Sequence, residues 1–134
     1  MDLQKTLKNQ IAKQIDFYGT IANDQELLKT LESAIAIVVE AYQNNKKVWF
    51  AGNGGSAADA QHLAAELSGR FYKTRMALNA EALHCNTSYL TAVANDFGYD
   101  VIYSRMIEGV ANAGDVLIVF STSGNSPNVL LAVE

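Results

Sequence analysis

A histidine and a glutamate lie four residues apart in a segment of good helix formers. They are His62 and Glu66, within residues 56–67. Because residues four apart share one face of a helix, the imidazole and the carboxylate have the spacing of two Zn2+ ligands, and the carboxylate is also a candidate acid or base. The alternative is an ordinary hydrogen bond along an exposed helix face.

Two loops each follow an apolar strand and precede a helix. The first is Gly52-Asn53-Gly54-Gly55-Ser56, and the second covers residues 121–126. Glycine lets the backbone approach a ligand closely, and the free N–H groups at a helix start attract anions. Ligands of open parallel sheets bind at the carboxyl ends of the strands, where these two loops would meet. The pattern therefore predicts an anion site at that edge.

The second loop is rich in hydroxyl groups and contains no Lys or Arg. Its candidate phosphate ligands are Ser121, Thr122, Ser123 and Ser126. A neutral loop of this kind favours a monophosphate ester, since the lysine of a P-loop is absent. The alternative is a turn followed by a helix cap, because the same residue types dominate turns.

The first loop also has the spacing of a degenerate dinucleotide fingerprint, Gly52-x-Gly54-x-x-Ala57. That fingerprint requires an acidic residue about 20 positions further on, at the end of the second strand. Glu81 comes later and lies within its predicted strand. A nicotinamide cofactor is therefore not favoured.

The elements that position these residues alternate between helix and strand. Helical spacing predicts a first helix from Leu3 to Tyr18, interrupted at Gly19 and Thr20. A second helix is predicted to begin with a capping box of Asn23 and Glu26 and to end near Asn44-Asn45. Three strands are predicted at residues 48–51, 77–83 and 116–120, with helices at 56–67, 88–94, 101–111 and from 127, where Ser126 is the expected cap. The fold class is α/β, with a doubly wound parallel sheet behind N-terminal helices.

Composition excludes several classes of protein. The 134 residues are 49% hydrophobic, with one Pro and a net charge of -4, which predicts one folded domain. Ten Lys plus Arg residues without a basic stripe argue against nucleic acid. No apolar run approaches the roughly 20 residues of a membrane span, and the start lacks the apolar core of a signal peptide, so the predicted location is cytoplasmic. Cys85 is interpreted as a small buried hydrophobe and His84 as structural.

Four segments taken together resemble the phosphoheptose isomerases, within the sugar isomerase (SIS) domain family. They are Ala51-Gly52-Asn53-Gly54-Gly55-Ser56, then residues 59–70, then Ala94-Asn95-Asp96-Phe97-Gly98-Tyr99, then Ser121-Thr122-Ser123-Gly124-Asn125-Ser126. The resemblance implies conversion of sedoheptulose 7-phosphate to D-glycero-D-manno-heptose 7-phosphate through an enediolate, towards the ADP-heptose of lipopolysaccharide or capsule. It also implies a homotetramer with active sites between subunits and one zinc ion per site.

The resemblance also implies roles for individual residues. His62 and Glu66 would bind the zinc ion, and Glu66 would contact the substrate and transfer the proton. The remaining substrate contacts would be Asn53, Gly54, Gly55, Ser56, Asn95, Asp96, Ser121, Thr122, Ser123 and Ser126.

The sequence departs from that family in its length. Family members continue into a C-terminal region with a Gln and a His that complete the metal site, so we expect residues 1–134 to be an incomplete SIS-type domain, with helices at 1–45 and the sheet-containing part at 46–134. The remaining zinc ligands are expected beyond Glu134. The second strand, with Asn79 and Glu81, is also more polar than the family leads us to expect.

Two other functions remain open at this stage. One is a non-catalytic SIS-fold adaptor of the bacterial replication initiator, which lacks the helix glutamate, so the presence of Glu66 favours the isomerase. The other is a regulatory module that binds a sugar phosphate without proton transfer.

Overall fold

A computed structural model describes residues 2–134, in which helices and strands alternate after two N-terminal helices. The elements are α1 (Leu3–Asn23), α2 (Gln25–Gln43), β1 (Val48–Gly52), α3 (Gly55–Ser68), β2 (Ala80–Ala82), α4 (Thr87–Phe97), a 3-10 turn (Tyr99–Val101), α5 (Ile102–Val110), β3 (Val116–Phe120) and α6 (Pro127–Val133). Within that range no helix combines the length and the hydropathy needed to cross a membrane.

The chain divides into two units, the first ending at Ile37 and the second beginning at Val38. In the first unit, α1 is capped by Asp2, whose carboxylate accepts the Lys5 N–H at 3.1 Å. The helix runs through Gly19, so the predicted interruption there is wrong. A glycine inside a helix costs about 1 kcal/mol relative to alanine, and the helical hydrogen bonds on both sides of it keep the segment helical.

The cap of α2 also differs from the prediction. Asp24, one residue after the expected Asn23, accepts the Leu27 N–H at 2.9 Å. The Asn23 side chain instead donates to the Gly19 carbonyl of α1 at 2.7 Å. The predicted capping box of Asn23 and Glu26 is therefore wrong, because the asparagine still belongs to the last turn of α1.

In the second unit, the three strands form a parallel sheet in the order β2-β1-β3. The central strand β1 is buried along its whole length. Its two faces pack against different helices: Trp49 and Ala51 contact a core cluster with residues of α4, α5 and α6, while Val48 and Phe50 contact Ala60 and Ala64 of α3 in the other. A short, wholly apolar strand is typical of this double burial, and the doubly wound α/β prediction is confirmed.

The second strand is shorter than predicted. Of residues 77–83, only Ala80–Ala82 form β2, paired with Val48 to Phe50. The segment before β2 has another partner, because the Leu78 N–H donates to the Leu67 carbonyl at the end of α3 at 3.2 Å. The polar Glu81 on this edge strand forms an ion pair with Lys47 at 2.6 Å, which accounts for the strand's unexpected polarity.

The helices that follow β2 also have shifted boundaries. Asn86 caps α4 by accepting the Tyr89 N–H at 3.0 Å, and the helix continues to Phe97. It ends where Gly98 adopts a positive φ of 93°, a conformation that favours glycine. Asn95 and Asp96 therefore lie in the last turn of α4 rather than after it.

The amino-terminal ends of β1 and β3 are joined through the carboxylate of Asp115. It accepts the backbone N–H of Lys47 at 2.9 Å, the backbone N–H of Asn112 at 3.0 Å and the indole N–H of Trp49 at 3.2 Å. Burial by itself would raise the pKa of Asp115, but these hydrogen bonds and the charge of Lys46 outweigh it and lower the pKa. Folding therefore stabilises the ionised form of the Asp115 carboxyl group relative to its protonated form.

We predict that Asp115→Asn lowers the free energy of unfolding at pH 7 by about 1–3 kcal/mol. The carboxylate accepts charge-assisted hydrogen bonds from two backbone N–H groups and one indole N–H, and the uncharged amide has only one acceptor oxygen. Since the folded pKa of Asp115 is depressed, its contribution is present above the unfolded pKa and is lost as pH falls through the folded pKa. Urea unfolding between pH 7 and pH 3 measures both effects.

The matched control for this experiment is Asp100→Asn, in the exposed 3-10 turn, which should leave stability within about 0.5 kcal/mol. Equal stability of the Asp115→Asn variant and the unsubstituted chain at pH 7 would contradict the role assigned to Asp115.

Candidate functional site

The loop between β1 and α3 is shorter than the glycine pattern suggests. β1 ends at Gly52 and α3 begins at Gly55, so only Asn53 and Gly54 lie between them. A Cβ on Gly52 would lie 2.7 Å from the backbone carbonyl carbon of Ser56, and Gly54 has a positive φ of 58°. Both glycines are thus required by the tight turn itself.

Three side chains from later in the chain hold this loop. Asn53 and Asn128 form a reciprocal amide pair, in which Asn53 Nδ2 donates to Asn128 Oδ1 at 2.8 Å and Asn128 Nδ2 donates to Asn53 Oδ1 at 2.9 Å. The Tyr99 hydroxyl also donates to Asn53 Oδ1 at 3.1 Å, and the buried Tyr103 hydroxyl donates to the Gly52 carbonyl. The loop is therefore bonded both to the 3-10 turn and α5 and to the start of α6.

The donor character of Tyr103 does not change near neutral pH. Burial, with a smaller contribution from the neighbouring Tyr99, raises the pKa of Tyr103 to about 12. Its hydroxyl therefore remains protonated and continues to donate to the Gly52 carbonyl.

Sequence reasoning missed Asn128, Tyr99 and Tyr103. Asn128 is only 2% exposed, and a buried asparagine in the first turn of a helix has no local pattern that distinguishes it from a surface residue. Its one sequence signal is its position two residues after Ser126, the last residue of the second loop, residues 121–126, which we call the serine-rich loop.

In the serine-rich loop, three hydroxyl groups converge. Ser121 Oγ lies 3.1 Å from Ser126 Oγ and 3.4 Å from Ser123 Oγ. The backbone is folded around them, since Gly124 N–H donates to Ser121 Oγ and Asn125 N–H donates to Ser123 Oγ, each at 3.1 Å. The sequence prediction that these serines act together is thus compatible with their geometry, which forms a small neutral cluster of hydroxyls.

Two other predictions about this loop need correction or refinement. Ser126 occupies the N-cap position of α6, but its side chain makes no capping hydrogen bond, because its hydroxyl is paired with Ser121. Thr122 is exposed and lies outside the hydrogen-bonded cluster that joins Ser121, Ser123 and Ser126.

His62 and Glu66 share one face of α3, the helix that begins at the glycine loop. His62 Nε2 lies 3.6 Å from Glu66 Oε1, and the side chains are 71% and 26% exposed. This distance is longer than a normal hydrogen bond. The second carboxylate oxygen, Glu66 Oε2, is buried and has no hydrogen-bond partner among residues 2–134. The imidazole is thus open to solvent beside a carboxylate that has one unpartnered oxygen.

These two residues fit part of a metal site. An imidazole nitrogen and a carboxylate oxygen are ordinary zinc ligands, and the unpartnered Glu66 Oε2 is a free donor atom. Across residues 2–134, no group of three His, Cys, Asp or Glu side chains is placed to hold a metal ion. A catalytic zinc typically has three protein ligands, and His62 and Glu66 alone would be too few.

The side chains of Asn95 and Asp96 make contact with each other. Asn95 Nδ2 donates to Asp96 Oδ1 at 2.8 Å, and both residues are exposed on the last turn of α4. No hydrogen bond joins either of them to the glycine loop or the serine-rich loop within the described part of the chain. The nearby residue that does reach the glycine loop is Tyr99.

The two residues after Leu83 differ from each other in burial. Cys85 is exposed, so its interpretation as a buried hydrophobe is wrong: its N–H closes a turn onto the Ala82 carbonyl at 3.2 Å, beyond the buried strand. His84 is half-buried with an unpartnered Nδ1, and desolvation lowers its pKa. His84 is therefore mostly neutral at pH 7.

The model of the SIS domain family matches residues 19–134. The chain belongs to the SIS domain family. The matched range contains the glycine loop, the His62–Glu66 pair and the serine-rich loop, so the site described above lies entirely within the SIS domain.

Similar SIS proteins are named phosphoheptose isomerases. The chain is 58% identical over 109 residues to the phosphoheptose isomerase of Citrifermentans bemidjiense, an alignment that covers 81% of this chain and 57% of that protein. It is 46% identical over 130 residues to that of Sulfurimonas denitrificans, covering 97% of this chain and 67% of that protein. The chain thus spans between about half and two thirds of the length of these relatives.

Solved structures agree with the SIS fold. The phosphoheptose isomerase of Neisseria gonorrhoeae superimposes with a TM-score of 0.88 at 40% identity, over 98% of this chain and 67% of that one. A phosphoheptose isomerase from Francisella tularensis gives a TM-score of 0.91 at 32% identity, over 99% of this chain and 69% of that one.

We predict that Gly52→Ala destabilises the SIS domain by about 2–4 kcal/mol, because the added Cβ would overlap the Ser56 backbone at 2.7 Å and force the loop to shift. The control is Gly109→Ala inside α5, where a Cβ meets nothing within 4 Å and should add about 0.5–1 kcal/mol of stability. Chemical denaturation of both variants measures the difference, and an equal effect of the two substitutions would refute the steric role of Gly52.

Proposed function

We propose that this chain is the larger part of an aldose-ketose isomerase that converts sedoheptulose 7-phosphate to D-glycero-D-manno-heptose 7-phosphate. The observation that carries the proposal is the Glu66 carboxylate, which has a buried, unpartnered oxygen and lies one helical turn from His62. A carboxylate oxygen without a hydrogen-bond partner is available to take a proton. The names of the relatives support the same reaction.

In this proposal the serine-rich loop binds the phosphate group. Ser121 Oγ lies within 3.4 Å of both Ser123 Oγ and Ser126 Oγ, and each of the three hydroxyl groups can donate to a phosphate oxygen. Exposed Thr122 adds a fourth hydroxyl from the same loop. Without a nearby lysine or arginine in the loop, binding relies on hydrogen bonds, which suits a monoester more than a polyphosphate.

The glycine loop would bind the sugar beside the phosphate. Asn53 supplies its side-chain amide, and Gly54, Gly55 and Ser56 supply backbone or hydroxyl groups at the start of α3. The family resemblance assigns Asn95 and Asp96 to contacts with the sugar phosphate. Their exposed side chains are hydrogen-bonded to each other and retain further donor and acceptor atoms for a ligand.

Glu66 would move the proton. The ketose carries its carbonyl at C2. The Glu66 carboxylate takes a proton from C1, so that the C1–H electron pair forms the C1–C2 double bond and the C2–O double-bond pair moves to O2, giving an enediolate. Return of that proton to C2, with transfer of the hydroxyl proton from O1 to O2, re-forms a carbonyl at C1 and gives the aldose. The overall step neither consumes nor releases an electron or a proton.

A zinc ion would be held partly by His62 and Glu66, with its remaining ligands in a C-terminal part such as the relatives carry. When bound, such an ion supplies Lewis-acid polarisation of the substrate oxygens. His62 is placed to bind such an ion because its imidazole is open to solvent beside the Glu66 carboxylate.

The proposal also covers the protein's surroundings. We place it in the cytoplasm, where phosphorylated sugars are made and used. We expect a homotetramer with active sites between its subunits. Its product would serve the synthesis of ADP-heptose for lipopolysaccharide or capsule. The exposed apolar residues of α1, such as Leu7 and Ile11, are consistent with contacts between subunits. The low content of basic residues gives no support to nucleic acid as a partner.

We predict that Glu66→Gln lowers kcat by at least about a hundredfold, because the amide cannot accept the proton. The test uses a full-length protein, in which this sequence is followed by the C-terminal part that the relatives carry. Conversion of sedoheptulose 7-phosphate is followed in D2O, where the active protein should place solvent deuterium at C2 of the product.

The matched control is Glu108→Gln on the exposed surface of α5, which should keep its activity. Full conversion by the Glu66→Gln variant would overturn the proton-transfer role. Binding of the sugar phosphate by the unsubstituted protein without deuterium exchange would instead identify a regulatory module.

We also predict that His62→Ala lowers the zinc content of the full-length protein from about one ion per chain to a small fraction of that value, because one of the proposed ligands is lost. Elemental analysis after dialysis measures this directly. His84→Ala is the control, because it removes the other imidazole of the sequence, which is not among the proposed zinc ligands. An active preparation of the unsubstituted protein that holds no zinc would contradict the metal proposal.

A further inference from the structure

The amide pair between Asn53 and Asn128 determines how the glycine loop presents its one polar side chain. Asn53 Oδ1 accepts two hydrogen bonds, from Asn128 and from the Tyr99 hydroxyl, and Asn53 Nδ2 donates one, to Asn128 Oδ1. A carboxamide has two acceptor lone pairs and two N–H groups. One N–H of Asn53 is therefore left for a ligand.

The pair also joins the two loops of the site. Asn53 follows β1, whereas Asn128 lies two residues after Ser126 of the serine-rich loop. Asn128 is 2% exposed, so water does not compete for the hydrogen bonds of its side chain. The two bonds of 2.8 and 2.9 Å connect the sugar-binding loop to the phosphate-binding loop.

We propose that Asn128 is a positioning residue for the sugar-phosphate site, acting through Asn53. It orients the Asn53 carboxamide so that its remaining N–H donates to a sugar or phosphate oxygen, and it keeps the glycine loop in register with the serine hydroxyls. This inference rests on the proposed function and adds to it a residue that does not itself touch the substrate.

The chemistry of the pair provides a specific test. Asn128→Asp has nearly the same shape, but its ionised carboxylate only accepts hydrogen bonds, so one of its oxygens would face Asn53 Oδ1 without a proton between them. When that carboxyl group is protonated, its O–H restores the missing donor. Burial raises the pKa of a carboxyl group, so the protonated form should return as pH falls from 8 to 5.

The titratable groups hydrogen-bonded to the pair or to the glycine loop are the phenols of Tyr99 and Tyr103, on the 3-10 turn and α5. Burial raises the pKa of Tyr103 to about 12, so this phenol stays neutral throughout that range. The loop residues Asn53 and Gly54, and Pro127 beside Asn128, carry no titratable side chain. The recovery expected at low pH is therefore attributable to the introduced carboxyl group.

The experiment measures the dissociation constant of sedoheptulose 7-phosphate by calorimetry with the full-length protein. At pH 8, Asn128→Asp should weaken binding about tenfold relative to the unsubstituted protein, the effect of one unmatched buried acceptor, and this ratio should approach one by pH 5. Taking the ratio at each pH removes the titration of the phosphate itself. Asn79→Asp, the same change at an exposed position before β2, should show no pH-dependent ratio.

A double-mutant cycle covers the case in which Asn128→Asp folds poorly. Asn128→Ala should weaken binding in the unsubstituted protein but have no further effect in an Asn53→Ala background, because Asn128 acts only through Asn53. Unchanged binding by Asn128→Asp at pH 8, or a full additional loss from Asn128→Ala in the Asn53→Ala background, would overturn the positioning role.

Hydrogen exchange of the glycine loop separates this inference from the proposed function. Without ligand, amide N–H groups at residues 53–56 should exchange faster in Asn128→Asp than in the unsubstituted protein at pH 8. If the unsubstituted protein neither binds nor converts the sugar phosphate, the proposed function fails, and the inference is then decided by this measurement: unchanged exchange overturns the connection between the loops.

Discussion

The architecture depends on the complete burial of β1. Its backbone N–H and C=O groups have no access to water, so both of its edges must be paired, and the parallel neighbours β2 and β3 supply the partners. Both faces of the strand are covered as well, by α3 on one side and by α4, α5 and α6 on the other. Parallel pairing then brings the loops after β1 and β3 to the same edge of the sheet, which is why two separate segments form one site.

The glycines of the site serve the backbone more directly than they serve a ligand. Gly52 has no room for a Cβ, and Gly54 and Gly124 have positive φ values. The groups that carry chemical information are the side chains placed between them, such as Asn53 and Ser121. The tight turn fixes where those side chains begin, and the amide pair and the serine cluster fix their orientation.

The site is neutral where the phosphate is proposed to bind and negative where the proton is proposed to move. The serine cluster pairs hydroxyl with hydroxyl, an arrangement that can rotate to donate to an anion at little cost. Glu66 contributes a carboxylate instead of a neutral hydroxyl, and one of its oxygens is buried without a hydrogen-bond partner among residues 2–134. Leaving such a group unpaired costs stability, and a ligand or metal ion that completes it would recover that cost.

Local patterns in the sequence predicted the parallel sheet and the shared helix face of His62 and Glu66. The apolar run at residues 48–51 predicts a buried strand, and the four-residue spacing of His62 and Glu66 places both on one face of α3, as the structure has them. Helix boundaries were harder to predict from the sequence: Gly19 lies inside α1, and Asp24 rather than Asn23 caps α2. Neighbouring turns compete within a fraction of a kcal/mol, and tertiary packing selects among them.

The sequence by itself determined which residue types are available: the glycines of a tight turn, the hydroxyls of a serine-rich loop without Lys or Arg, and a histidine-glutamate pair at helical spacing. Only the tertiary structure decided which of them meet. Asn53 and Asn128 are 75 residues apart in the chain, and Ser126 pairs with Ser121 instead of capping α6. Such pairings depend on where parallel strands and their helices place distant backbone segments, and no local pattern encodes that distance.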